Sequence, residues 1–161
     1  MKANAIFVIL MLASAIQAQQ ANTQTPEQQH CAMMKRGDAA MGFSHEKTTH
    51  HFVLLKDGGA IQVSANDPKD DASQNQIRTH LAHIAKMFSE GNFDTPMFIH
   101  DTTPPGVPTM EKLHSEIRYQ YQQTDSGARI MISTTNPRAL QAVHEFLRFQ
   151  IDEHQTGDKQ K

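Results

Sequence analysis

One pattern occurs twice in this chain and limits what it can fold into: two short apolar–polar alternating runs joined by a turn, followed by an amphipathic helix. In the first copy, His50 to Leu55 is β-branched and aromatic in character, and Asp57-Gly58-Gly59 supplies a turn. Ile61, Val63 and Ala65 then alternate with Gln62 and Ser64, as a strand with one buried face requires. After a polar loop, Ser73 with Gln76 three residues on has the form of a capping box, and a helix is expected to about Glu90 with Gly91 as its stop. In the second copy, Ile117, Tyr119 and Tyr121 alternate with polar residues and Asp125-Ser126-Gly127 turns the chain. Arg129 to Thr134 forms the next strand, and Asn136-Pro137 opens a helix to about Glu153. A Pro-rich connector, Thr102 to Pro108, separates the copies.

The fold class that follows is α+β: two hairpin-helix units forming a four-stranded antiparallel sheet with two helices on one face. A short N-terminal helix is added by Thr25-Pro26, an N-cap with proline at the first helical position, and by Gly37 after Lys35-Arg36 as a stop.

Ahead of that domain, Lys2, the apolar run Ala5 to Leu12 and the small residues Ala13-Ser14-Ala15 have the tripartite order of a secretory signal, with Ile16-Gln17-Ala18 as a second cleavage candidate. The run is far shorter than the ~20 residues that span a bilayer. The expected organisation is a signal peptide over residues 1–18, a flexible Gln-, Asn- and Thr-rich arm over 19–29, a single domain over 30–154 and a flexible tail over 155–161. This predicts a secreted or periplasmic product of about 140 residues, long enough for a genuine core. A net charge of −2 gives no argument for nucleic acid or an acidic membrane surface.

Composition matters for the chemistry. Ten histidines and nine methionines stand beside a single cysteine and no tryptophan, so nitrogen and thioether ligands are plentiful while no intramolecular disulfide can form. His30, Cys31, Met33, Met34, Met41 and His45 fall within one short stretch. Thiolate, thioether and imidazole are the soft ligand set that favours copper, especially copper(I). On the helix, His30 and Met34 stand four apart and Cys31 and Met34 three apart, which gives them a common face. The competing reading makes the methionines gap-filling core residues.

A second ligand stripe lies on the first long helix, where His80, His83 and Met87 share a face beside the core stripe Ile77, Leu81, Ile84 and Phe88. Its bland alternative is a solvated helix flank. His50 and His51 are consecutive on a strand and point to opposite faces, so one of them can meet His80 or His83. His45 to His50 is not the metalloprotease motif, because the spacing is five and the segment runs into a strand. His144 lies within an apolar stripe and reads as a hydrogen-bonded core residue, and Arg78, Arg118 and Arg129 form an anion site only if folding unites them. There is no phosphate-binding glycine loop, nucleophile elbow or haem-attachment motif.

Met41-Gly42-Phe43, Lys47-Thr48-Thr49-His50-His51-Phe52, Asp57-Gly58-Gly59, Ile77-Arg78-Thr79-His80-Leu81, Pro104-Pro105-Gly106-Val107 and His144 to Ile151 resemble segments of an uncharacterised family of small exported bacterial proteins. The resemblance covers most of the mature chain and implies no established activity. Some relatives carry an aspartate carbamoyltransferase label, but that enzyme's loop of Ser, Thr and Arg has no counterpart here.

The function these residues predict is an exported, non-catalytic protein that binds a transition metal, with copper as cofactor or cargo and His80, His83, Met87, His50, His51, His30, Cys31, Met34, Met41 and His45 as candidate ligands. Two alternatives stand beside it. One is an extracytoplasmic domain that binds an organic ligand or a partner protein, favoured by a pocket lined by Tyr119, Tyr121 and Phe98. The other is a small enzyme using His50 or His51 with His80, favoured by a carboxylate orienting one ring.

Overall fold

The structure is a computed structural model that describes residues 25–160, so the expected signal peptide and most of the expected arm lie outside the described residues. Alternation builds two hairpins: β1 (Thr48–Leu55) with β2 (Gly58–Ala65), and β3 (Ile117–Thr124) with β4 (Gly127–Thr134). They join through their second strands, giving one antiparallel sheet in the order β1-β2-β4-β3. The joining register sets Ile61 opposite Ile130 and Val63 opposite Ala128, so the apolar positions of both hairpins fall on one face. The fold is therefore α+β with two hairpin-helix units, as expected.

The helices that follow each hairpin are α2 (Asp71–Ser89) and α5 (Pro137–His154). Each crosses the seam: α2 packs mainly on β4 and β3, whereas α5 packs on β1 and β2. Their apolar stripes, Ile77, Leu81, Ile84 and Phe88 from α2 with Val143, Phe146, Leu147 and Ile151 from α5, close the core against the sheet. Phe88 and Phe93 stack with centroids 4.4 Å apart and Phe146 stands edge-on to both. Such aromatic pairs contribute about 0.5–1.5 kcal/mol each beyond their buried area.

Capping chemistry sets the helix starts. α1 (Pro26–Met41) opens with a full capping box between Thr25 and Gln28. It runs past Gly37, where a stop was expected, and ends at Gly42 with φ 78°. Gly37 is buried inside the helix where α1 packs on α3 (Asp94–His100), and a Cβ there would make only ordinary contacts with Met41 and Ile99. α2 is capped by Asp70, which accepts from the Ser73 N–H and hydroxyl, three residues ahead of the expected cap. Asn136 caps α5 as its sequence suggests.

The connector holds more structure than its proline content predicts. α3 ends just before it, and the connector's last residues open a further short helix, α4 (Val107–Lys112), which places the fully buried Val107 and Met110 against α5. Gly106 makes this approach possible. Its φ is 84°, and a Cβ there would run into the carbonyl of Ala142 on α5. Gly106→Ala therefore combines backbone strain with a clash against helix backbone. It is expected to lower stability by about 2–4 kcal/mol, read as a fall in thermal or urea midpoint, with the helical circular dichroism of the surviving native state unchanged.

Candidate functional site

A chain of aromatic and imidazole rings runs beneath α1. His50 projects from the core face of β1 and lies near parallel to Phe43, Phe52 and His154, with centroids 6.2, 6.4 and 5.7 Å away. His80, from α2, meets the Phe43 ring edge-on at 5.7 Å. At the other end His154, on the last turn of α5, meets His100 edge-on at 5.2 Å. His80, Phe43, His50, His154 and His100 thus form one continuous row contributed by five separate segments.

Two openings flank this row. A small cavity of about 70 Å³, mostly apolar, lies between α2 and α5 and is lined by Met41, His50, His80, His100, Gln150 and His154 among core aliphatic and aromatic residues. A larger groove of about 460 Å³ runs between α1 and the C-terminal ends of α3 and α5. Gln29, His30, Arg36, Asp101, Asp152 and Glu153 line it, and His100 borders both spaces.

Two kinds of histidine result. His45 and His51 are held by carboxylates: His45 Nδ1 donates to Asp38 at 2.9 Å, and His51 Nδ1 donates to Asp158 at 2.9 Å. The same Asp158 accepts from the Phe52 N–H, so the chain end is fastened along edge strand β1. His50, His80 and His154 are instead placed by ring packing. Burial, and then the neighbouring histidines, push their pKa values down from 6.5, to about 4 for His50 and His80 and about 3 for His154. They are neutral imidazoles near pH 7, with nitrogen lone pairs available as ligands or acceptors.

His100 differs again. Its Nε2–H donates to the Gln150 side-chain oxygen at 3.0 Å, which leaves Nδ1 as an acceptor. That Nδ1 is buried without a hydrogen-bond partner, and so is the Gln150 amide nitrogen. Burial lowers the pKa of His100, against the opposing pull of its Gln150 bond and of the Glu153 carboxylate nearby.

Of the sequence-predicted ligands, His50, His80 and Met41 come together at the small cavity. The rest disperse. His83 is exposed, and Met87 packs against the core with its sulfur accepting from Thr95 at 3.7 Å. Cys31 is exposed beside Glu27 and Lys35, Met34 faces a depression with Met41 and His45, and His30 faces the groove. His51 lies on the opposite sheet face from His50, as strand geometry requires. Among the described residues no three His, Cys, Asp or Glu side chains are close enough to hold one metal ion.

Other residues resolve as follows. His144 donates from Nε2 to the Leu55 and Gly58 carbonyls and locks the first hairpin turn. Arg78 is occupied by the carbonyls of the second turn, at Thr124, Asp125 and Gly127, while Arg118 and Arg129 are exposed on the open sheet face. Phe98 is exposed on α3, whereas Tyr119 packs edge-on to Phe88, its pKa raised by burial.

Sequence reasoning missed His100 and His154. A signal for His154 exists, because it continues the stripe Leu140, His144, Leu147 and Ile151 by three residues. His100 sits in the short, aperiodic stretch between the two units, just ahead of the Pro-rich connector, and carries no such signal. No protein-family model, curated protein or solved structure matches this chain.

The neutral histidines make stability depend on pH with a definite sign. Folded-state pKa values below 6.5 mean that the unfolded chain binds more protons, so the contribution is fully present above about pH 6.5 and is lost as pH falls towards 4. Each group is expected to cost on the order of 1–2 kcal/mol by pH 5. Thermal midpoints should therefore drop steeply between pH 7 and 5, and His154→Phe should flatten that dependence. An equally steep profile in the variant would show that the slope arises elsewhere.

Proposed function

We propose that this protein is an exported, non-catalytic metal-binding protein that holds copper(I) between His50, His80 and Met41. The observation that carries the reading is the convergence of two neutral imidazoles and a thioether, from three separate elements, on one small apolar cavity. Copper(I) accepts two or three soft ligands, so the pair of nitrogens with one sulfur meets its needs where zinc would lack a fourth protein ligand. Neutral imidazoles have no proton to displace at pH 7. An apolar wall favours the singly charged ion over copper(II).

Cavity size separates this reading from an organic ligand at the same place. About 70 Å³ is well below the ~300–1,000 Å³ of sites for drug-sized molecules. A small enzyme using His50 or His51 with His80 is less well supported: Asp158 orients the His51 ring, but His51 lies on the sheet face opposite His50 and cannot join His80 in one site. The sequence pattern of residues 1–18 supports a role outside the cytoplasm.

Anaerobic titration of the mature protein with copper(I), against a chromogenic chelator, tests the reading. One equivalent is expected to bind, and the His50→Ala/His80→Ala double variant to lose affinity by roughly 100-fold or more. His83→Ala and Cys31→Ser should leave it unchanged. Affinity no better than a surface imidazole, or loss on Cys31→Ser instead, would overturn the assignment.

A further inference from the structure

The groove on the other side of the ring row has a different chemistry, and its residues point to a different ligand. At its floor lies His100, whose side chain is 1% exposed. Its Nε2–H is committed to Gln150, so Nδ1 is left as an unpartnered acceptor just beneath the groove surface, on the side of Glu153. The nearest charged atom to it is a Glu153 carboxylate oxygen, 3.8 Å away. Two acceptors facing each other at that distance are complementary to a donor that carries positive charge and more than one N–H.

The surroundings have the same sign. Asp101, Asp152 and Glu153 line the groove against a single guanidinium, that of Arg36, which is already engaged with the Ile99 carbonyl at 2.8 Å. The last turn of α5 adds the partial negative charge of its carbonyl end. At about 460 Å³ the groove falls in the size range of small-molecule sites.

We propose that this groove binds an organic ammonium ion, the class of primary amines and short diamines, with its –NH₃⁺ bridging His100 Nδ1 and the Glu153 carboxylate. A free metal ion fits less well, since among the described residues no three ligating His, Cys, Asp or Glu side chains converge. An ammonium needs only acceptors, and a second one on a short chain would reach Asp101 or Asp152. The site is separate from the proposed copper cavity, which Glu153 does not line, so either can fail without the other.

Acid should abolish binding. A proton on His100 Nδ1 turns the acceptor into a donor and would pair with Glu153 itself. The charged and titratable groups around His100 are Glu153 and His154 on α5, Asp101 at the end of α3, and Arg36 and His30 on α1. Of these, Glu153 favours the proton and Arg36 opposes it.

The test is calorimetric and ¹⁵N-histidine NMR titration of the mature protein with 1,4-diaminobutane and n-butylamine, with butyrate and n-butanol as controls. Both amines are expected to bind at pH 7.5, the diamine more tightly, and to shift the His100 Nδ1 resonance as a hydrogen-bond acceptor. Glu153 is about half exposed, so Glu153→Gln should fold normally and weaken amine binding about tenfold or more. Equal binding of butyrate or butanol, an unchanged Nδ1 resonance, or undiminished affinity in folded Glu153→Gln would overturn the proposal.

Discussion

The pairing of β2 with β4 is the constraint on which the rest of this structure depends. An isolated two-stranded hairpin is marginal in water, and each hairpin here presents apolar residues on one side only. Joining their second strands in register creates a four-stranded surface wide enough for two helices. Because the chain leaves β2 and β4 at that central seam, each helix settles across the other unit's hairpin. Neither hairpin-helix unit can therefore complete its own core. The cavity between α2 and α5 is a product of this crossing, since it is bounded by one helix from each unit and floored by β1 and β2.

Burial then assigns the histidines their chemistry. His45 and His51 sit where water and a carboxylate can share the ring, and their nitrogens are spent on fixing the turn after α1 and the chain end. His50, His80 and His154 are enclosed by other rings with no carboxylate in reach of a hydrogen bond, so their charged forms are penalised and their lone pairs stay open. The same side chain thus serves as a positioning device at the rim and as a ligand donor within. Position in the fold decides between the two roles, and residue identity does not.

That division explains what was legible in the sequence. Strands and long helices were, because period-two alternation and the Ile77 to Phe88 stripe are direct consequences of one-sided burial. The opposed directions of His50 and His51 followed from the same rule. Gly37 was misleading as a stop because its backbone stays within the right-handed helix, and the left-handed cap falls five residues later at Gly42. α3 and α4 were illegible because helices of seven and six residues are too short to show a period. The Met- and His-rich segment suggested a single cluster with His30, Cys31 and Met34 on one face, yet at about 3.6 residues per turn these three span roughly 100° of the circumference of α1. That spread takes them from the docked side to the solvent side of the helix, where they line three different openings.

α1 borders both spaces. It buries only Met33 and Gly37, against seven buried residues each for α2 and α5, so its docking has the smallest apolar contribution of the three long helices. It is held instead by the Arg36 bond to Ile99, the Asp38 contacts with His45, and packing on α3. Elements with few buried contacts open at lower free energy than the core they cover. Met41 closes the small cavity and His30, Met33 and Arg36 wall the groove, so undocking α1 opens both at once. An occupant of either space that touches α1 would stabilise the docked helix by its own binding free energy.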